Sequence, residues 1–170
     1  MSLQIRKATE ADVAVIAWFI RQLAEYERLL QEIAMTEETL RESLFGSRPS
    51  AEVLLGYYQD KPVAFAVFFH NFSTFVGRRG LYLEDLFVIP EMRGKGFGRA
   101  LLVHLAQIAR ERNCGRFEWA VLDWNEPAIE FYKRLGAIPM NDWTIFRITG
   151  EAKASLERVR KRLAGGTPSR

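Results

Sequence analysis

The run Leu81-Tyr82-Leu83-Glu84-Asp85-Leu86-Phe87-Val88-Ile89-Pro90-Glu91-Met92-Arg93-Gly94-Lys95-Gly96-Phe97-Gly98 concentrates the chemistry of the sequence. An apolar strand pattern carrying two adjacent acids leads into a turn, where glycines at 94, 96 and 98 alternate with charged and apolar residues. Glycines let backbone N–H groups converge on an anion with no Cβ in the way. The helix that follows offers unpaired donors and about half a positive charge at its start. Arg93, Lys95 and Arg99 add full charges. Together these features suit a pyrophosphate. The spacing is neither that of a Walker loop nor that of a dinucleotide fingerprint. The acids suit proton transfer. Glu84 precedes Val88 by about 13 Å of extended chain, out of reach of the phosphates. Burial would raise its carboxyl toward the range where a base works near neutral pH. As strand neighbours, Glu84 and Asp85 point to opposite faces unless a bulge intervenes.

The elements around this run follow from periodicity and caps. Residues 3–8 alternate as a short strand. Thr9, with Asp12 three residues on, caps a helix carrying Val13, Ile16, Ala17, Ile20, Leu23, Ala24 and Leu30 at helical spacing. A second helix starts at Thr36 and stops at Gly46. Val53–Tyr58 and Val63–Phe69 read as strands joined by Gln59-Asp60-Lys61-Pro62, and Asn71–Arg79 as a loop. Leu101, Leu102, Leu105, Ile108 and Ala109 form one face of the helix opened by the glycine turn. Phe117–Leu122 reads as a strand. Asn125 caps a short helix with Pro127 near its start and Gly136 past its end. Ile138–Ile148 is expected to hold one or two strands, and Glu151–Leu163 a helix. This order of hairpins and crossovers predicts an α/β sandwich around a mixed sheet.

The chain has 170 residues, 48% of them hydrophobic and 26% charged. That is the composition of one globular domain, here residues 1–150, with a basic helix and tail over 151–170. Residues 153–170 carry +5 against the chain's +3, so the body carries −2 and the tail alone sets the basic balance. Nucleic-acid binding inferred from charge would rest on that tail. No apolar run is long enough to span a membrane. The single Cys114 excludes an intrachain disulfide and a Cys-based zinc cluster, and no metal is expected. A reducing, cytoplasmic setting is the expectation.

The strand, Arg93-x-x-Gly96-x-Gly98 and helix resemble the acetyl-CoA signature of the GNAT superfamily of N-acetyltransferases. A second match is Asn125-Glu126-Pro127-Ala128-Ile129-Glu130-Phe131-Tyr132-Lys133-Arg134-Leu135-Gly136-Ala137. Leu23-Ala24-Glu25-Tyr26-Glu27, Tyr82-Leu83-Glu84-Asp85 and Trp124-Asn125-Glu126-Pro127 are similar to the branch that acetylates diamines and thialysine. The resemblance implies a mostly antiparallel sheet flanked by helices, with splayed strands forming a slot for acetyl-CoA. It implies cofactor contacts from Leu86, Phe87, Val88, Arg93, Gly94, Lys95, Gly96, Phe97, Gly98, Arg99, Asn125, Pro127, Ala128 and Tyr132. It gives Glu84 the role of base, directly or through a water, and Tyr132 that of proton donor to the leaving thiolate. For the substrate it implies Tyr26, Glu27, Glu84 and Asp85. Glu118 and Trp119 are further candidates on the substrate side, Glu118 for a second ammonium. The segment between Gly136 and Trp143 is shorter than in the diamine enzymes.

Such a reaction needs a neutral amine. An alkylamine of pKa about 10.4 is neutral in only about 1 molecule in 2,500 at pH 7, a deficit of about 4.6 kcal/mol that a base in the site offsets in part. With no Cys or Ser nucleophile motif, direct transfer in a ternary complex is expected. The expected protein is a homodimeric N-acetyltransferase acting on a small primary amine. The alternatives are a protein or peptide N-acetyltransferase and a non-catalytic acetyl-CoA-binding regulator.

Overall fold

The structure, a computed structural model, describes residues 2–148 and 152–165. The elements are β1 (Gln4–Lys7), α1 (Val13–Tyr26), α2 (Glu37–Phe45), β2 (Glu52–Tyr58), β3 (Lys61–Ser73), β4 (Arg78–Val88), α3 (Phe97–Glu111), β5 (Phe117–Trp119), α4 (Glu126–Arg134) and α5 (Ala152–Gly165). They divide into two compact units, Met1–Ala120 and Val121–Arg170. The first holds a five-stranded sheet in the order β1-β2-β3-β4-β5, antiparallel except where β5 runs parallel to β4. This is the mixed, mostly antiparallel α/β architecture expected from the sequence.

Side-chain alternation sorts the first unit's core into two faces. Val53, Leu55, Phe65, Val67 and Phe87 pack with Ile16, Phe19 and Leu23 of α1. Phe19 stacks on Phe65 at 5.0 Å. The intervening Leu54, Ala64, Ala66 and Phe68 are also buried. Alternation gives them the opposite face, where the buried stripe of α3, Leu101, Leu102 and Leu105, supplies the apolar cover.

Three expectations change. The 71–79 stretch is not a loop, because β3 and β4 pair out to Ser73 and Arg78. The buried Ser73 makes this possible. Its carbonyl accepts from Gly77 N at 2.8 Å and its Oγ from Val76 N at 3.3 Å, closing a tight turn on the left-handed Gly77. The 117–122 strand ends at Trp119. Ile138–Ile148 forms no strand: β-rich as it is, it pairs with no ladder, and Ile145 and Phe146 are exposed. The helix read over Glu151–Leu163 is α5, while Glu151 and the tail after Gly165 lie outside the described residues. No helix among the described residues is long and apolar enough to cross a membrane.

Two charge clusters pin the frame of the first unit. Asp12 closes a 3-10 turn ahead of α1. It accepts from Thr9 N at 2.8 Å, from the Thr9 hydroxyl at 2.9 Å and from both Arg6 Nη atoms at 2.8 and 2.7 Å. Arg6 Nη2 also donates to the Tyr57 hydroxyl at 2.8 Å, which ties β1 and β2 to the helix start. Glu52 accepts from both Nη atoms of Arg112, at the end of α3, and from Lys7 at 2.8 Å. The Arg112 guanidinium holds its carboxyl down at about 2.

The Arg6 guanidinium likewise holds Asp12 well below the usual carboxylate range. A depressed carboxyl stabilises the fold above its unfolded pKa and loses that contribution as pH falls through the folded value. Asp12→Asn is therefore expected to cost about 1–3 kcal/mol at pH 7, from the lost cap and charged hydrogen bonds. Urea unfolding of the two proteins should show that deficit shrinking below about pH 4.

Candidate active site

The register of β3 and β4 carries one irregularity that matters. Val67 faces Asp85 and Phe68 faces Leu83, so Glu84 has no opposite number and forms a β-bulge. The extra residue changes which face the strand presents. Before it, Leu81 and Leu83 sit with His70 and Phe68 on the α3 face, leaving Tyr82 and Glu84 on the α1 face. After it, Asp85 and Phe87 lie with Val67 and Phe65 on the α1 face. Both acids thus share one side of the sheet.

Their environments differ. Glu84 is exposed, while Asp85 is partly buried. Burial, then the charge of Glu84, then that of Glu27 pushes the Asp85 carboxyl up to about 7. Burial also raises the Glu27 carboxyl. The bulge leaves Glu84 in solvent and carries Asp85 inward, and the raised carboxyl of this strand is that of Asp85.

Asp85 lines a cavity of about 340 Å³ within the first unit. Ile20, Leu23 and Ala24 of α1 form one wall, and Leu29, Ile33, Ala34 and Met35 of the segment before α2 form another. Glu27 and Glu32 complete the lining. The segment folds back because Arg28 takes a left-handed φ of 61° past the end of α1, with Leu29 N donating to Ala24 O at 2.8 Å. Sequence reasoning missed Ile20, Glu32, Ile33 and Met35. Residues 29–35 carry no motif that points to a role.

A slot runs beside the cavity's inner acid. β5 pairs with β4 only over Leu81–Leu83. From Glu84 to Val88, β4 has no strand partner on that side among the described residues. The β5 pairing stops where the bulge begins, which leaves this edge of β4 open.

The slot leads to the glycine turn. Gly94 and Gly96 have φ of 76° and 82°, the left-handed region that side chains avoid. A Cβ on either would project into open space, so conformation and not crowding calls for glycine. Gly96 caps α3, and the N–H groups of Phe97, Gly98 and Arg99 have no intrahelical carbonyl to meet. Arg99 and Lys95 are exposed beside them, with Lys95 Nζ 5.6 Å from the Tyr58 ring centroid. Arg93 departs from expectation. Its Nε donates to Val88 O at 3.0 Å, and its guanidinium lies 4.3 Å from the Tyr26 ring centroid and 5.3 Å from that of Phe87. It clips the strand exit to the end of α1 instead of pointing into the turn.

Other candidates are also redirected. Tyr26 is the platform for Arg93 and does not line the cavity. Glu118 is paired with Arg116 at 2.8 Å and accepts from Asn71 at 3.0 Å, so its charge is already matched. Trp119 packs edge-on against Phe117 at 5.0 Å. In the second unit, Asn125 caps α4 as read from the sequence, accepting from Ala128 N at 3.4 Å, with Pro127 in the first turn. Tyr132 is half-buried on α4, its ring 5.4 Å from Phe131.

Comparison with known proteins agrees with this geometry. A model of the acetyltransferase (GNAT) family matches residues 15–137. The chain is 38% identical over 166 residues to a thialysine N-epsilon-acetyltransferase of Sus scrofa, covering 91% of this chain and 97% of that protein. It is 30% identical over 204 residues to an L-ornithine N5-acetyltransferase of Arabidopsis thaliana, covering 94% and 90%. Among solved structures, an integron cassette protein from the mobile metagenome of V. cholerae superposes with a TM-score of 0.78 at 28% identity, covering 95% and 99%. With a glycine turn opening α3, a bulged acidic strand beside it and family-wide sequence agreement, the chain belongs to the GNAT family and is an N-acetyltransferase.

Proposed function

We propose that the protein transfers the acetyl group of acetyl-CoA to a primary amine of a small diamine-like or thialysine-like substrate. The observation that carries this reading is the Asp85 carboxyl, raised to about 7 at the wall of an open pocket, where an ammonium would need to lose a proton. The cavity lies at the small end of the range for ligand pockets, about 300–1,000 Å³. The names of the thialysine and ornithine relatives support an amine substrate.

The glycine turn fits acetyl-CoA. Its left-handed glycines leave an open concavity over three helix N–H groups, with Lys95 and Arg99 at its rim. Phe97, Gly98 and Arg99 N–H groups would hold the pyrophosphate, and the unpaired edge of Leu86–Phe87 the extended arm. When bound, acetyl-CoA supplies an acetyl group activated as a thioester. Asp85 binds the substrate ammonium as a carboxylate and accepts the proton it gives up. Glu84, exposed at the bulge, passes that proton to solvent. The second proton the nitrogen loses as the amide forms balances the one the departing sulfur takes up, for which the family resemblance makes Tyr132 the donor. No Cys, Ser or Thr lines the cavity, which favours direct attack by the amine over an acyl-enzyme.

Thiol release from acetyl-CoA should be measured against thialysine, ornithine, lysine, putrescine, spermidine and a histone-like peptide. Turnover with small amines and none with the peptide is expected; the reverse would favour a protein acetyltransferase. Because the base must be ionised, kcat/KM should rise with pH through about 7. Asp85→Asn should remove that limb and lower kcat at pH 7 by about 10²–10⁴-fold, with partial recovery at high pH. Glu84→Gln should move the limb to lower pH, since it removes a charge that raises Asp85. An unchanged Asp85→Asn profile alongside an inactive Glu84→Gln would make Glu84 the base.

The cradle has its own test. Gly96→Val must abandon a φ of 82° or strain to keep it, a cost of about 1–2 kcal/mol. Calorimetric titration with CoA should show roughly tenfold weaker binding, and an unchanged Kd would remove the turn from the cofactor site.

A further inference from the structure

We propose that Glu32 sets the substrate class at the outer end of the cavity, selecting amines whose far end is a second cation without a carboxylate. This rests on the cavity being the amine site.

The lining is one-sided in charge. Asp85, Glu27 and Glu32 are its ionisable groups, and it contains no Lys, Arg or His. Asp85 and Glu27 are partly buried, and Glu32 is exposed. That contrast gives the cavity an inner and an outer end. Between them lie apolar walls from Ile20, Leu23, Ile33 and Met35. Among the described residues none of these three carboxylates has a side-chain hydrogen bond or ion pair. A second cation on a short apolar spacer would match this pattern at both ends. An amino-acid substrate would bring an α-carboxylate toward Glu32 and Glu27 with no cation in the lining to receive it, and placing an unmatched charge there is costly. The acid expected from sequence to serve a second ammonium, Glu118, is already matched by Arg116. Glu32 sits on the 3-10 turn Leu30–Glu32, held over the cavity by the left-handed Arg28.

The experiment uses matched pairs that differ only in the carboxylate: bis(2-aminoethyl) sulfide against thialysine, putrescine against ornithine, and cadaverine against lysine. On the full chain, kcat/KM for each diamine should exceed that for its amino acid by about tenfold or more. Glu32→Gln should shrink the ratio by about fivefold, the upper range for an exposed ion pair. Glu32→Lys should reverse the preference toward the amino acids. A ratio of two rates is insensitive to the fraction of protein folded, so a folding defect would not imitate either result. Thialysine turned over as well as its diamine, or ratios identical in all three proteins, would overturn this inference and leave the acetyltransferase reading standing. Silence with every amine would overturn that reading, and this inference with it.

Discussion

A single residue inserted in one β-ladder organises this molecule. Glu84 has no partner on β3, and the strand on either side of it presents opposite parities to the helices. A regular strand would have placed Asp85 on the α3 face with Leu83, where an unmatched carboxylate amid apolar side chains is costly. The bulge turns Asp85 to the α1 face instead. It also coincides with the end of β5 pairing, so the same irregularity opens the slot and aims the acid beside it. A bulge costs ladder hydrogen bonds, and the frame around it has to hold.

That frame is built at both ends of the strand. At the exit of β4, Arg93 bonds the Val88 carbonyl and lies over Tyr26 and Phe87, joining strand, turn and α1. At the other edge of the sheet, the Asp12 and Glu52 clusters lock β1, β2, α1 and α3. Between them the Phe19–Phe65 stack seats α1 on the sheet. The left-handed Arg28 then throws residues 29–35 across the open end of α1, and the cavity is what they enclose. Arginine thus serves this site chiefly by position: the charge of Arg93 is spent on the scaffold, leaving Lys95, Arg99 and backbone N–H groups to face an anion.

What could be read from the sequence was local. The glycine turn, the caps at Thr36 and Asn125 and the apolar stripes of α1 and α3 each depend on residues within a few positions of one another, and each appears as read. Features that depend on pairing across the sheet were less legible. The sequence left a bulge between Glu84 and Asp85 open and favoured Glu84 as the buried acid; the register against Val67 and Phe68 turns Asp85 inward instead. Asn71 and Ser73 look like loop residues until the facing strand supplies partners. Ile138–Ile148 reads as holding one or two strands and forms none, because no ladder receives it. The cavity segment carries no motif that points to a role, so Glu32 gained meaning only from where Arg28 sends the chain.

The bulge gives the protein a carboxyl raised toward neutrality at the wall of the cavity. Carboxyl carbon NMR of the free, full-length protein, labelled at aspartate and assigned by comparison with Asp85→Asn, measures it directly. A midpoint near 7 is expected for Asp85, moving to lower pH in Glu84→Gln. An Asp85 midpoint near the ordinary aspartate value of about 3.9 would contradict it.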